Sequence, residues 1–232
     1  MENLQDLFFK YFLNLTSIRE VSSDKMMIKS LGPVWHKKQK EQNIIPKGLR
    51  GVDRQAQWGY SKADGWVYGH GSYCTVSHNI PVIGKFKWIP NNRHEGKEIY
   101  WELIKHKESI DTVCFDSKAD DSKLFKNLKN FLNINLLTVC RRNMDKTFER
   151  KSMIQFMNKK KNKKIYRQRS VTVEPMQGLI ANIFDLSRSW MRGDTNNRWI
   201  TAAQGVAVQI AQLNAYLAGE STWKVKEAVL GV

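Results

Sequence analysis

The stretch "GWVYGHGSYCTVSHN", residues 65–79, runs directly into "IPVIGKFKWIP", residues 80–90. Both halves are rich in β-branched and aromatic residues, and "SHN" supplies a turn between them. Such side chains suit a pleated, half-buried surface, so the pair predicts a β-hairpin. Beyond residue 94 the rhythm changes. "EGKEIYWELIKHKE" has helical spacing at Ile99, Leu103 and Ile104, and "IDTVCF" is a short apolar run ending at Asp116. "DSKLFKNLKNFL" puts Leu124, Phe125, Leu128 and Phe131 on one helical face, with Asp121 or Ser122 as cap, and "INLLTVC" is a second apolar run. Short apolar runs of this kind are strands buried on both faces. Strands alternating with helices predict an α/β domain, and the hairpin makes its sheet mixed.

Upstream, Ile18, Val21 and Met26 to Ile28 fit a strand around Asp24, while residues 1–13 read as a helix with Leu4, Leu7, Phe8, Tyr11 and Phe12 on one face. Residues 32–51 read as a loop, punctuated by Pro33, Pro46 and three glycines. Downstream, a helix is expected to open near Glu174–Pro175, because proline suits a first turn, and to bury Met176, Ile180, Ile183 and Phe184. A last helix covers about 196–217, with Gly219 as its stop. The expected architecture is a five-stranded mixed sheet flanked by helices. Residues 18–218 form the main domain, preceded by a helix within 1–17 and followed by a tail, 219–232.

A chain of 232 residues, 41% hydrophobic, can bury a real core. No apolar run approaches a membrane span and no signal-peptide pattern stands at the start, which predicts a cytoplasmic protein without a membrane partner. Cys74, Cys114 and Cys140 are scattered, so they read as reduced thiols rather than a zinc site or disulfide framework. His36, His70, His78, His94 and His106 show no ligand spacing. The eight tryptophans read mostly as core, although one could stack on an unpaired base.

The net charge of +16 is the strongest bulk signal. Between residues 141 and 169, twelve lysines and arginines face only Asp145 and Glu149, which places ten of the sixteen surplus charges in that segment. Charge so concentrated answers a polyanion, and DNA is the expected partner. The candidate contacts are Arg141, Arg142, Lys159, Lys160, Lys161, Lys163, Lys164 and Arg167.

Three acids stand where chemistry could use them: Asp24 within the first strand, Asp116 at the end of the fourth, and Glu174 in a late helix. Brought together, they would need counter-charge to stay ionised. Hard oxygen ligands select Mg²⁺ or Mn²⁺, and two such ions can activate a hydroxyl and stabilise a phosphodiester's leaving oxygen. Each acid also has an ordinary reading. Asp24 could sit in a turn, Asp116 could cap a helix in competition with Asp120 and Asp121, and Glu174 could complement a helix dipole.

At this point "SSDKMMIKSLGPVWH", "RGVDRQAQWGYSKADGWVYGHG", "CFDSKADDSKLFKNLK", "YRQRSVTVEPMQGLIANIFDL" and "WMRGDTNNRWITAAQGVAVQIAQLNAY", taken in order, become informative. Over about residues 18 to 216 the chain resembles the catalytic domain of bacterial insertion-sequence transposases of the DDE type. The resemblance implies a ribonuclease H-like fold, two divalent ions, and DNA cleavage and strand transfer without a nucleotide cofactor. It implies Asp24, Asp116 and Glu174 as the acids, and Tyr166 and Arg169 as contacts to DNA phosphates near the cut. It further implies element ends and target DNA as partners, and a homodimer in a synaptic complex. Asp53 and Trp58 match a recurrent stretch of no derived role, with Asp53 as a reserve first acid. Lys25 replaces a small hydroxylated residue, Asp120 stands where an aromatic is usual, and one extra residue separates Arg169 from Glu174. The signature's terminal lysine would fall near Ala181. The short N-terminal helix reads as the remnant of an end-binding region, so the rival expectation is a truncated, inactive DNA-binding copy. A structure-selective nuclease or resolvase of the same fold is a further alternative.

Overall fold

A computed structural model of the chain describes residues 1–45, 50–62, 64–93, 95–141 and 147–231. Pro46, His94 and Arg142 lie outside the described residues. Six strands form one sheet: β1 (Glu20–Lys29), β2 (Gln57–Ser61), β3 (Gly65–Ser77), β4 (Ile83–Pro90), β5 (Thr112–Phe115) and β6 (Asn135–Thr138). Their order is β2-β3-β1-β5-β6, with β4 also paired to β3. The long β3 takes two partners end to end along one edge, β2 along residues 65–69 and β4 along 70–76. Its other edge pairs antiparallel with β1, from Val21 opposite Ser77 to Lys29 opposite Gly69. β5 and β6 then add in parallel. The hairpin and the alternating segments therefore build the mixed sheet expected of them.

The expected count of five strands is corrected to six. Only one of the five β2 residues is buried, so it shows no apolar run, and its pairing with β3 fixes it as a strand. A second correction is α2 (Lys37–Glu41), inside the segment expected to be a loop; none of its side chains is buried, so it left no apolar period to read.

The remaining helices are α1 (Glu2–Thr16), α3 (Glu95–Ile104), α4 (Ser122–Leu132), α5 (Phe148–Asn158), α6 (Lys160–Arg167), α7 (Arg169–Phe184), α8 (Asp194–Leu217) and α9 (Lys226–Leu230). They cover both faces of the sheet. On one face Val21, Tyr73, Val113 and Phe115 pack with Phe9 and Phe12 of α1, Ile99 and Leu103 of α3 and Leu128 of α4. On the other, Ile28, Cys74, Val76 and Phe86 pack with Val173, Met176 and Ile180 of α7 and Val208 and Ala211 of α8. Among the described residues no helix is long and apolar enough to cross a membrane.

The buried face of α1 is not the expected one. Gln5, Phe9, Phe12 and Leu13 are buried, whereas Leu4, Leu7 and Tyr11 are exposed. Gln5 belongs inside because β4 needs partners along its outer edge. Its amide donates to the carbonyl of Phe86 at 3.0 Å and accepts from the Phe86 N–H at 2.8 Å. Gln212 accepts from the Ile83 N–H and Gln209 donates to the Ile83 carbonyl. Buried backbone groups left unpaired are costly, so these glutamines close an edge that would otherwise be open.

Candidate active site

The pairing of β1 with β5 sets two of the three acids. Ser22 lies opposite Cys114, so two residues further along these parallel strands Asp24 and Asp116 stand level. β5 ends at Phe115 while β1 continues to Lys29, and the two acids stand where the strands part. Asp24 lies within a strand, which removes the turn reading. Asp116 does cap a short 3-10 turn, Ser117–Ala119, by accepting from the Lys118 N–H at 2.8 Å, while Asp121 caps α4.

Glu174 comes from α7, and here an expectation is overturned. The helix starts at Arg169, five residues before Glu174, and Pro175 lies in its interior. Glu174 is therefore no helix-start acid. Proline inside a helix removes one hydrogen bond, at a cost of about 3 kcal/mol. Burial of Thr172, Val173, Met176 and Ile180 against the sheet is the compensating gain that local sequence does not display.

Arg169 joins the acids. Its guanidinium donates to Asp24 Oδ2 at 2.6 Å and to Glu174 Oε1 at 2.5 Å. Asp24 also accepts from the Lys25 N–H at 2.8 Å. Burial pushes the Asp24 carboxyl above its ordinary pKa; Arg169 opposes that rise and nearby Asp116 adds to it. Burial works against the charge on Arg169, but Asp24 and Glu174 outweigh it and its pKa rises. Tyr166, half-buried at the end of α6, is raised by burial, with Arg169 opposing and Asp116 among the groups adding to the rise. Thus Asp24, Asp116, Glu174, Tyr166 and Arg169 interact at one end of the sheet.

An all-carboxylate donor set with a desolvated member fits a hard divalent cation. Arg169 supplies counter-charge to two of the three, Asp24 and Glu174. Among the described residues the only three-residue set whose ligand atoms all lie within 4.8 Å is Asp6, Glu102 and His106, not the three acids of the sheet end.

The described residues of the basic segment fold mainly as α5 and α6. Lys159, Lys160, Lys161, Lys163, Lys164 and Arg167 are exposed around α6, whose C-terminal end carries Tyr166. Arg141 is exposed as well. Arg150 is not part of this surface: it is buried and holds Asp120 through both guanidinium nitrogens.

Asp53 stands elsewhere. It is buried, and its carboxylate meets His70 Nε2 at 2.9 Å and the N–H groups of Gly193 and Gln55. Burial alone would raise its pKa, but these hydrogen bonds hold it below the ordinary value. The residue ties the segment before β2 to the start of α8. Trp58 donates its indole N–H to the Trp35 carbonyl at 3.0 Å. Sequence reasoning misses the residues beside the acids, Glu95, Lys118 and Asn91, whose signal is three-dimensional. It also misses the cluster of Asp6, Glu102 and His106, although the Glu102–His106 spacing of four is visible in the chain.

No protein-family model matches the chain, and no curated protein matches it. The fold has a clear likeness. A piggyBac transposase, solved in a synaptic complex with hairpin DNA, superposes with a TM-score of 0.53 over 90% of this chain at 11% identity. A Mos1 transposase in a paired-end complex with the left transposon end covers 90% of the chain at 10% identity, but its TM-score of 0.28 carries no argument. The chain spans about half the length of the piggyBac transposase chain, 51%. At such identity the likeness is one of fold: a six-stranded mixed sheet flanked by helices, as in a transposase.

Proposed function

We propose that this chain is the catalytic core of a DDE-type DNA transposase of a bacterial insertion sequence, acting in the cytoplasm on element ends and target DNA. The observation that carries the reading is Arg169 bridging Asp24 and Glu174 beside Asp116, next to a helix of exposed lysines. The transposase-like fold supports it.

On this reading Asp24, Asp116 and Glu174 would hold Mg²⁺ or Mn²⁺, which supply Lewis-acid charge and lower the pKa of an attacking oxygen. The chain's own residues do the positioning. Lys159, Lys160, Lys161, Lys163, Lys164 and Arg167, with Arg141 and Arg142, would hold DNA phosphates and make binding steeply salt-dependent. Tyr166 and Arg169 would contact the phosphate at the cut; releasing Arg169 from the carboxylates would free both partners at once. Water would cleave one phosphodiester to leave a 3′-hydroxyl, which then attacks a target phosphodiester. Two copies would pair the two ends.

A second reading is a DNA-binding chain that does not cut. The observation favouring it is Arg169 itself, which pairs with two of the three candidate metal ligands, Asp24 and Glu174. Magnesium-dependent nicking of end-containing DNA by wild type and Glu174→Gln separates the two. The expected result is loss of at least about a hundredfold in the variant, the scale of removing one charge-stabilising catalytic group. Equal activity in both sinks the catalytic role of Glu174. Salt-sensitive binding without nicking by either selects the second reading.

A further inference from the structure

A cleft of about 450 Å³ adjoins the acids, and its walls carry four cations, Lys25, Arg93, Lys118 and Arg141, and the rings of Tyr60 and Trp66. Two of these lysines connect it directly to the candidate active site. The Lys25 N–H donates to Asp24 Oδ1 at 2.8 Å, while its ammonium reaches the Asn91 carbonyl at 2.6 Å. The Lys118 N–H donates to Asp116 Oδ1 at 2.8 Å, while its ammonium pairs with Glu95 Oε1 at 3.1 Å. In each case the backbone holds an acid and the side chain forms the cleft wall. Glycine makes this possible. A Cβ at Gly71 would meet Lys25 Cε at 2.7 Å, and one at Gly59 would meet the Asn91 side chain at the same distance.

We infer that this cleft binds one unpaired nucleotide of the DNA strand held at the acids. Three features converge on that ligand. Four cations line the cleft, and although Glu95 pairs with Lys118 and Glu98 with Arg93, the surplus positive charge suits a phosphate. Tyr60 and Trp66 form a cross-strand pair with ring centroids 5.4 Å apart and are 55% and 61% exposed; Lys37 lies over the Trp66 ring, and the remaining exposed aromatic surface suits a base. Asn91 Oδ1 and Glu95 Oε2 are buried acceptors without a partner, on side chains 2% and 3% exposed, and would accept the N–H groups of a base edge. Phosphate, base face and base edge are each provided for. The volume suits a small-molecule-sized ligand rather than a duplex.

This inference rests on the reading of the chain as a DNA-binding protein, though not on cleavage, so its test runs in chelator without metal. Wild type, Trp66→Phe and Tyr60→Ala/Trp66→Ala are titrated with a single-stranded oligonucleotide and with a fully paired duplex, by anisotropy. A second probe carries one unpaired 2-aminopurine, whose fluorescence falls on stacking. The double alanine variant is expected to lose about tenfold or more on the single strand. Its paired-duplex affinity should stay within about twofold, since phosphate contacts are untouched. Quenching of 2-aminopurine should vanish in that variant and survive in Trp66→Phe, which also shows that the hairpin still folds. Equal losses on both DNAs, or none on either, overturn the cleft assignment while leaving duplex binding in place. Absence of salt-sensitive binding to any DNA by the wild type defeats the underlying reading as well.

Discussion

Two clusters of acids among the described residues, one largely buried and one partly exposed, are neutralised in opposite ways. Between α1, β4 and α3, Asp6 meets Lys85 Nζ at 2.5 Å and Lys105 Nζ at 2.8 Å, with His106 at 3.7 Å. Glu98 and Glu102 there share Lys87. At the sheet end, Asp24 and Glu174 share a single arginine. Burial alone would raise the Asp6 carboxyl, but nearby His106 and the hydrogen bonds from Lys105 and Lys85 hold it well below the usual carboxylate range. For Asp24 burial wins: Arg169, the Lys25 N–H and Lys118 oppose the rise without cancelling it. Ligand spacing alone would favour the first cluster as a metal site. Charge favours the second, because Lys85, Lys105, Lys87 and Arg93 together pair with Asp6, Glu98 and Glu102 in the first, whereas a single guanidinium pairs with two carboxylates in the second. A ring of oxygen atoms becomes a cation site only where the protein has left charge unbalanced.

The largest effect should come from unbalancing the first cluster. Lys85 is fully buried, and Lys85→Met leaves Asp6 with Lys105 and His106 alone. Removing one partner of a buried pair costs about 3–5 kcal/mol, and the lower end is expected here because Asp6 keeps other donors. Urea denaturation reads the loss, and Asp6→Leu in the same chain should recover much of it. A cost below about 1 kcal/mol would place this network among solvent-screened pairs and dissolve the contrast.

A histidine outside both clusters gives a control for charge burial. His78 is buried in the β3–β4 turn, where Nε2 lies 2.6 Å from Ser22 Oγ and no acid is paired with it. Burial lowers its pKa to about 4. The folded value lies below the unfolded one of about 6.5, so the fold prefers the neutral ring. Its contribution is complete above about pH 6.5, falls as the pH drops toward 4, and levels off below, for at most about 3 kcal/mol. His78→Gln should flatten the stability profile between those limits. A profile equally steep in the variant would assign the pH dependence to the carboxylates instead.

How much of the molecule is legible in its sequence depends on whether the signal is local. The hairpin, β5 and β6 declare themselves through composition, and the cap of α4 through Asp121. Asp24, Asp116 and Glu174 emerge as a set from strand ends and resemblance. The hidden features need partners distant in sequence. Gln5 looks like a polar residue on the wrong helical face until β4's edge is in view. Pro175 reads as a helix start because nothing local reports that Thr172 and Val173 are buried. Arg150 counts among the twelve cations of the basic segment, yet Asp120, thirty residues earlier, claims it. Arg169 bridging two acids 145 and 5 residues away is of the same kind.

That bridge gives the smallest and most discriminating effect. If Arg169 is the cation that a metal must displace, Arg169→Met removes a competitor and a phosphate contact together. Manganese affinity, followed by paramagnetic resonance of the free ion, should then tighten about tenfold, since one charge at close range is worth about 1.4 kcal/mol or more at a protein surface. In the same variant, the slope of log affinity for DNA against log salt should fall by about one. The two readouts move in opposite directions, which a merely unfolded variant cannot imitate. Manganese binding unchanged by the substitution would mean that Arg169 and the ion do not compete, and the sheet-end acids would then be a closed ion-pair network like the one around Asp6.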